Sequence, residues 1–179
     1  MSNTIFLIVG ESGSGKTTIV KELEKKYELK SISSYTTRPK REFNEYGHIF
    51  ISADEFNKLE NICAYSEIQG NQYGATSEQV DMSDLYVIDV GGIEYFKTNF
   101  KGTKRVKVIY IQVPTVDRYL RMIQRGDAIE EALARINIDR KSFSNVKQYT
   151  NHITNNKNLT EAVEDIYTYI TDVNNEEDI

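Results

Sequence analysis

The chain has no tryptophan, one cysteine, two prolines and two histidines in 179 residues. The lone cysteine, Cys63, excludes an internal disulfide and fits a reducing compartment. It reads as a small apolar side chain rather than a reactive thiol. Both histidines, His48 and His152, read as structural rather than catalytic. The longest apolar run is the five residues Ile5–Val9, against about 20 needed to span a bilayer. The amino-terminal stretch lacks the basic segment and long apolar stretch of a secretory signal. The expected location is therefore the cytoplasm, with no membrane partner. Positive charge is also in deficit: 22 Lys and Arg stand against 27 Asp and Glu, a net charge of −5. A general nucleic-acid binder carries a basic surface, so no nucleic-acid partner is expected. Any polyanion site has to be a local cluster of Arg and Lys. Length and a 39% hydrophobic content fit one compact unit. No feature sets the oligomeric state.

What the chain does have is Gly10-Glu-Ser-Gly-Ser-Gly-Lys-Thr-Thr18. Gly10, Gly15, Lys16 and Thr17 fit the phosphate-loop pattern G-x-x-x-x-G-K-[ST]. Glycines let backbone N–H groups turn inward around an anion. Lys16 is spaced to reach the terminal phosphates of ATP, and the Thr17 hydroxyl to ligate Mg²⁺. Gly10, Ser12, Gly13, Ser14, Gly15, Lys16, Thr17 and Thr18 are thus the candidate ATP-phosphate site. The context agrees. Ile5–Val9 is unbroken and apolar, as a parallel strand covered on both faces requires. Ile19, Val20, Leu23 and Tyr27 then recur at helical spacing. That helix aims its positive end at the phosphates.

A second cluster follows in Ile32–Arg41, where hydroxyls alternate with Arg38, Lys40 and Arg41. Arginine forks pair bidentately with phosphate oxygens. On its own such a cluster reads as a solvated loop. Beside a phosphate loop it reads as a second anion site, which phosphoryl transfer between two phosphorylated substrates needs. Further on, Leu85–Asp89 is an apolar strand ending in a carboxylate. Asp89 is placed to hold Mg²⁺ through water, or else serves as a strand-end turn residue beside Gly91-Gly92.

These motifs in this order resemble guanylate kinase and its relatives. The likeness rests on the phosphate loop and on Ser-Tyr-Thr-Thr-Arg-Pro-Lys-Arg41. It continues through Gly47–Phe50, Ser52–Phe56, Gly70–Gly74 and the strand ending at Asp89, covering about Thr4 to Ile170. It implies a three-layer α/β/α P-loop nucleoside-triphosphate-binding fold with a parallel core sheet. Residues 1–33, 84–120 and 141–173 are then the core, 34–83 a small monophosphate-binding insert, 121–140 a helical lid and 174–179 an acidic, fraying tail. Ser34, Arg38, Arg41, Tyr73 and Asp89 fall on monophosphate-binding positions of the family, with Asp89 between the two substrates. Arg121, Arg125 and Arg135 match its phosphate-contacting lid arginines; with Lys16 they are the expected catalytic set. Arg140 is a weaker fourth. The alternative for each is a surface arginine in an i, i+4 pair, such as Glu131 with Arg135. Asn155 matches an asparagine beside the donor adenine.

Local patterns fill in the rest. Ser52 with Glu55, and Thr76 with Gln79, have capping-box spacing. Ala64–Ile68 and Gln72–Ala75 flank a Gly70-Asn71 turn and read as a hairpin. After a strand over Val106–Val113, a helix starting near Thr115 is expected to turn Val116, Tyr119, Leu120 and Ile123 inward and Arg118 toward polar ground. Gly126 is placed to end it.

The chain departs from the family at the acceptor base. His48 stands where the family has a phosphate-binding tyrosine, Ala64 where it has the glutamate that reads guanine, and Ala75 where it has a guanine-contacting hydroxyl. Loss of such partners removes most discrimination for a base. Ser66, Glu67 and Thr76 are the nearest replacements. The expected reaction is transfer of the ATP γ-phosphoryl group, with Mg²⁺, to a ribo- or deoxynucleoside monophosphate in a divergent member, GMP being the default acceptor. Adenine or modified bases stay open as acceptors. Two other readings also stay open: a non-catalytic interaction module of the same fold, and a P-loop kinase of another phosphorylated small molecule.

Overall fold

Ile5, Phe6, Leu7, Ile8 and Val9 are all fully buried, because the strand that carries them is covered on both sides. The computed structural model describes residues 3–40 and 43–176. That strand, β1 (Thr4–Val9), lies inside a parallel sheet of order β6–β1–β7–β8, with β6 at Leu85–Val87, β7 at Arg105–Gln112 and β8 at His152–Asn155. The period-2 alternation of a strand sorts its residues between two cores. Phe6 and Ile8 pack with Ile19, Val20 and Leu23 of α1 (Lys16–Tyr27) and with Ile166 and Ile170 of α7 (Leu159–Asn175). Ile5, Leu7 and Val9 pack with Ile93 and Phe96 of α4 (Val90–Asn99). The result is three layers.

A second, mixed sheet has order β3–β2–β5–β4: β3 His48–Phe50, β2 Ser34–Thr36, β5 Asn71–Thr76 and β4 Ile62–Ile68. β4 and β5 form the expected hairpin, turning through Gln69 and Gly70 at φ 52° and 74°, the double positive φ of a tight hairpin turn. Both capping boxes are formed: Ser52 with Glu55 starts α2 (Ala53–Phe56), and Thr76 with Gln79 starts α3 (Ser77–Asp81). Cys63, Ala64, Ala75 and Val80 of this sheet region join the α4-side core. The second sheet thereby shares a core with α4 and β1. Burial of the Cys63 thiol pushes its pKa up to about 11, in keeping with an inert side chain.

Three local expectations are corrected. β6 stops at Val87. Asp89 is the N-cap of α4, its Oδ1 accepting the Gly92 N–H at 2.9 Å. In α5 (Thr115–Gln124) the buried residues are Arg118 and Met122, while Val116 and Leu120 are 67% and 48% exposed. Tyr119 and Ile123 do pack inward, against Met122, Ala132 and Ile136. Arg118 turns inward instead, against the carboxylates of Asp139 at 3.3 Å and Glu11 at 3.6 Å. Finally, α7 continues through Asn175, two residues into the segment expected to fray; 177–179 lie outside the described residues. Among those described, no helix is long and apolar enough to cross a membrane.

Candidate active site

The loop between β1 and α1 is built as an anion cradle. Gly15, the N-cap of α1, offers no side-chain cap, and the first turn carries no acidic residue. The first N–H groups of the helix are thus left for a ligand. Gly13 and Gly15 have φ of +77° and +88°. A Cβ at Gly13 would meet the Arg118 carbonyl at 2.6 Å, and one at Gly15 the Asn156 side chain at 2.6 Å. Only glycine fits both positions.

Lys16 bends over the cradle, donating from Nζ to the carbonyls of Gly10 at 2.5 Å and Glu11 at 3.2 Å. Burial pushes its pKa down to about 8, against the opposing charges of Asp139 and Glu11. The ammonium is therefore charged below pH 8 and neutralised above it. Affinity for Mg²⁺-ATP is expected to fall from pH 8 upward, by about tenfold per pH unit once the neutral amine dominates. Calorimetric titrations between pH 7 and 9.5 check this, and a flat profile contradicts it.

Two cavities open on the loop. One, of about 770 Å³, is lined by Gly13, Gly15, Thr17, Thr18, Arg121 and Arg125, together with Asn156. The other, of about 690 Å³, is lined by Ser34, His48, Glu67, Tyr73 and Asp89, together with Asp139. Ser12, Lys16 and Arg135 line both. The arginines come from α5 and from α6 (Ile129–Ser142), which flank Gly126 at φ +99°. Arg121 donates to the carbonyls of Ser14 at 3.4 Å and Asn156 at 2.7 Å. Arg125 grips Asp127 through two hydrogen bonds of 2.8 and 2.6 Å. Arg135 lies 3.8 Å from the same carboxylate, not paired with Glu131. Arg140 is exposed and lines neither cavity.

In the second cavity the Ser34 hydroxyl and His48 Nδ1 are hydrogen-bonded at 2.9 Å. Arg38 stands behind its wall, donating to the Tyr73 hydroxyl at 3.1 Å and pairing with Glu45 at 2.5 Å. Arg41 lies outside the described residues. Ala64 lines the cavity, as do Ser66 and Glu67, whereas Ala75 is fully buried. Thr76 is placed elsewhere: its hydroxyl accepts the Gln79 N–H at the start of α3, which takes it out of the cavity wall.

On the donor side Asn155 is exposed, and the buried asparagine is Asn156, whose Nδ2 donates to the Ser14 carbonyl at 2.7 Å. β8 alternates, Thr154 inward and Asn155 outward, so the next inward side chain belongs to Asn156. Two more residues escape sequence reasoning. Arg118 and Asp139, both buried, form an ion pair at 3.3 Å beneath the loop. Arg118 also lies 3.6 Å from Glu11, and Glu11 accepts a hydrogen bond from the Tyr110 hydroxyl at 2.9 Å. Twenty-one residues separate Arg118 from Asp139, beyond any helical pairing rule.

Among the described residues no group of three or more His, Cys, Asp and Glu side chains could hold a metal ion. The oxygen donors expected to meet the ion are the exposed Thr17 hydroxyl and the Asp89 carboxylate, whose Oδ1 already caps α4; the Glu11 and Asp139 carboxylates are engaged by Tyr110, Arg118 and Ser12. This sparse set of hard oxygens fits Mg²⁺, which takes most of its ligands from phosphate and water.

A parallel sheet with a phosphate loop at the carboxyl end of its inner strand, opening helix α1, defines a P-loop nucleoside-triphosphate-binding fold. Comparison with known proteins narrows this. The guanylate kinase family profile matches residues 2–173. The chain is 32% identical over 180 residues to the guanylate kinase of Clostridium tetani, covering 93% of this chain and 85% of that one. It is 32% identical over 178 residues to that of Thermotoga maritima, covering 92% and 84%. The crystal structure of guanylate kinase from Anaplasma phagocytophilum superposes with a TM-score of 0.68 over 97% of this chain and 88% of that one, at 19% identity, a likeness of fold. The chain belongs to the guanylate kinase family.

Proposed function

We propose that this protein is a nucleoside monophosphate kinase that transfers the γ-phosphoryl group of ATP to a nucleoside monophosphate, GMP being the acceptor expected first. The observation that carries the reading is the shared wall: Lys16 and Arg135 line both cavities. A phosphoryl group passing between two ligands has to cross such a junction. The cavity over Gly13, Gly15 and Thr17 takes ATP, and the one in segment 34–83 takes the monophosphate. The segment 121–140 acts as the lid.

The accepting phosphate has a second pKa near 6 and is largely ionised at pH 7, so no strong base is required. One of its oxygens attacks the γ-phosphorus; the bond to the β–γ bridging oxygen breaks, and ADP leaves. The work of the protein is to hold two repelling anions in line and to spread charge in the transition state. Lys16, Arg121, Arg125 and Arg135 supply positive charge from the donor side. Ser34 and Tyr73 hold the acceptor phosphate from the cavity wall, Arg38 orients Tyr73 from behind it, and Arg41 adds positive charge. Thr17, with Asp89 through water, would hold Mg²⁺, which when bound neutralises charge on the β- and γ-phosphate oxygens. Ser66 and Glu67 are polar residues of β4 that line the cavity assigned to the acceptor. The nucleotide pool of the cytoplasm is the setting this reading implies.

A coupled assay of diphosphate formation across ribo- and deoxynucleoside monophosphates, with a phosphosugar control, tests the reading. Acceptor-dependent ADP release is expected with GMP or dGMP first and none with the phosphosugar. Absence of acceptor-dependent release with every nucleoside monophosphate overturns it, and release with the phosphosugar alone favours a small-molecule kinase.

A further inference from the structure

We propose that Asp139 is a positioning residue: its carboxylate pins helix α6 to the backbone of the phosphate loop and so sets where Arg135 enters the junction between the cavities. The inference rests on the kinase reading above. Asp139 Oδ2 accepts the Ser12 N–H at 2.8 Å and the Arg118 Nη1–H at 3.3 Å. Arg135 and Asp139 are four residues apart on α6, hence on one face, and both line the second cavity. The bond to Ser12 therefore fixes the turn of helix from which Arg135 projects.

Charge makes this arrangement informative. A carboxylate beside a cavity for phosphates repels its ligands unless its charge is neutralised. Here Arg118 lies against both Asp139 and Glu11, with Lys16 as the second cation facing them, and Arg118 is itself held by the Ser12 carbonyl at 3.4 Å and the Thr115 hydroxyl at 3.3 Å. Arg118 and Asp139 are only 4% and 9% exposed. Buried ion pairs give weak net stability compared with apolar residues of the same volume. What this pair adds is direction: a mainchain N–H of the loop, a side chain of α5 and a side chain of α6 meet at one oxygen. Helices α5 and α6 are thereby both indexed to the phosphate loop.

Two measurements test the proposal, made on the full chain with Asp139→Ala and Asp139→Asn. The first is amide hydrogen exchange without nucleotide. The Ser12 amide is expected to exchange at least about tenfold faster in Asp139→Ala, with Ile8 and Ile109 unchanged, and Asp139→Asn to recover most of the protection. The second is a kinetic cycle with Arg135→Ala. Asp139→Ala is expected to lower kcat about thirtyfold with donor KM within about threefold. That loss shrinks below about threefold when Arg135 is already alanine. An equal loss in both backgrounds, or unchanged Ser12 exchange, overturns the proposal. Asp139→Leu, which fills the volume without an acceptor, carries the same readouts should Asp139→Ala not fold. If the wild-type protein shows no phosphoryl transfer, the kinase reading fails, while the Ser12 measurement still decides whether the pin exists.

Discussion

Lys16→Ala is expected to lower kcat by about a thousandfold or more. Lys16 is the cation that faces both cavities from the loop itself. Its two hydrogen bonds, to the Gly10 and Glu11 carbonyls, are to neutral groups, so no direct salt bridge has to break before it meets a phosphate. Negative charge shifts toward the β–γ bridging oxygen as the γ-group leaves, so a fixed charge there stabilises the transition state more than the ground state. The variant should fold, because alanine removes only those two bonds to the loop backbone. Steady-state kinetics beside a thermal melt check both halves. Near-normal turnover in Lys16→Ala contradicts the mechanism.

The second large effect is at Arg135. Arg135→Ala is expected to lower kcat about a hundredfold while changing the KM of either substrate by less than about fivefold. Before substrates bind, Arg135 shares Asp127 with Arg125, and the salt-bridge distance of 3.8 Å is loose. Transfer to a phosphate at the junction therefore breaks little. An interaction made mainly in the transition state lowers kcat and kcat/KM together. Arg38 makes the contrast. It stands behind the acceptor wall, away from the junction, so Arg38→Ala is expected to raise the acceptor KM by about tenfold or more, with a smaller change in kcat. If Arg135→Ala instead behaves like Arg38→Ala, Arg135 binds substrate and does not serve the transferring group.

Much of this architecture is legible in the sequence wherever a short-range rule decides it. Ile5–Val9 needs only the continuous apolar run of a covered parallel strand. Ser52 with Glu55 and Thr76 with Gln79 need only the three-residue spacing of a capping box. The Gly126 break needs only the tolerance of glycine for positive φ. Sequence reasoning fails where a distant partner decides. Arg118 looks like a surface residue until Asp139 and Glu11 are brought beside it. In the fold, α5 buries Arg118 and leaves Val116 and Leu120 exposed. Thr76 looks available for a base edge because a capping hydroxyl and a ligand hydroxyl read alike; only the fold shows that the Gln79 N–H takes it. The shift from Asn155 to Asn156 turns on one residue of strand register, finer than a pattern of apolar residues can fix.

The whole mechanism requires two anionic ligands to meet end to end across Lys16 and Arg135. Titration calorimetry with a bisubstrate compound, adenosine joined to guanosine through five phosphates, puts that requirement to the test. One molecule is expected to bind per chain, more tightly than ATP or GMP alone, and to displace both. Binding no tighter than ATP, with GMP still able to bind beside it, would show that the two cavities do not serve one reaction.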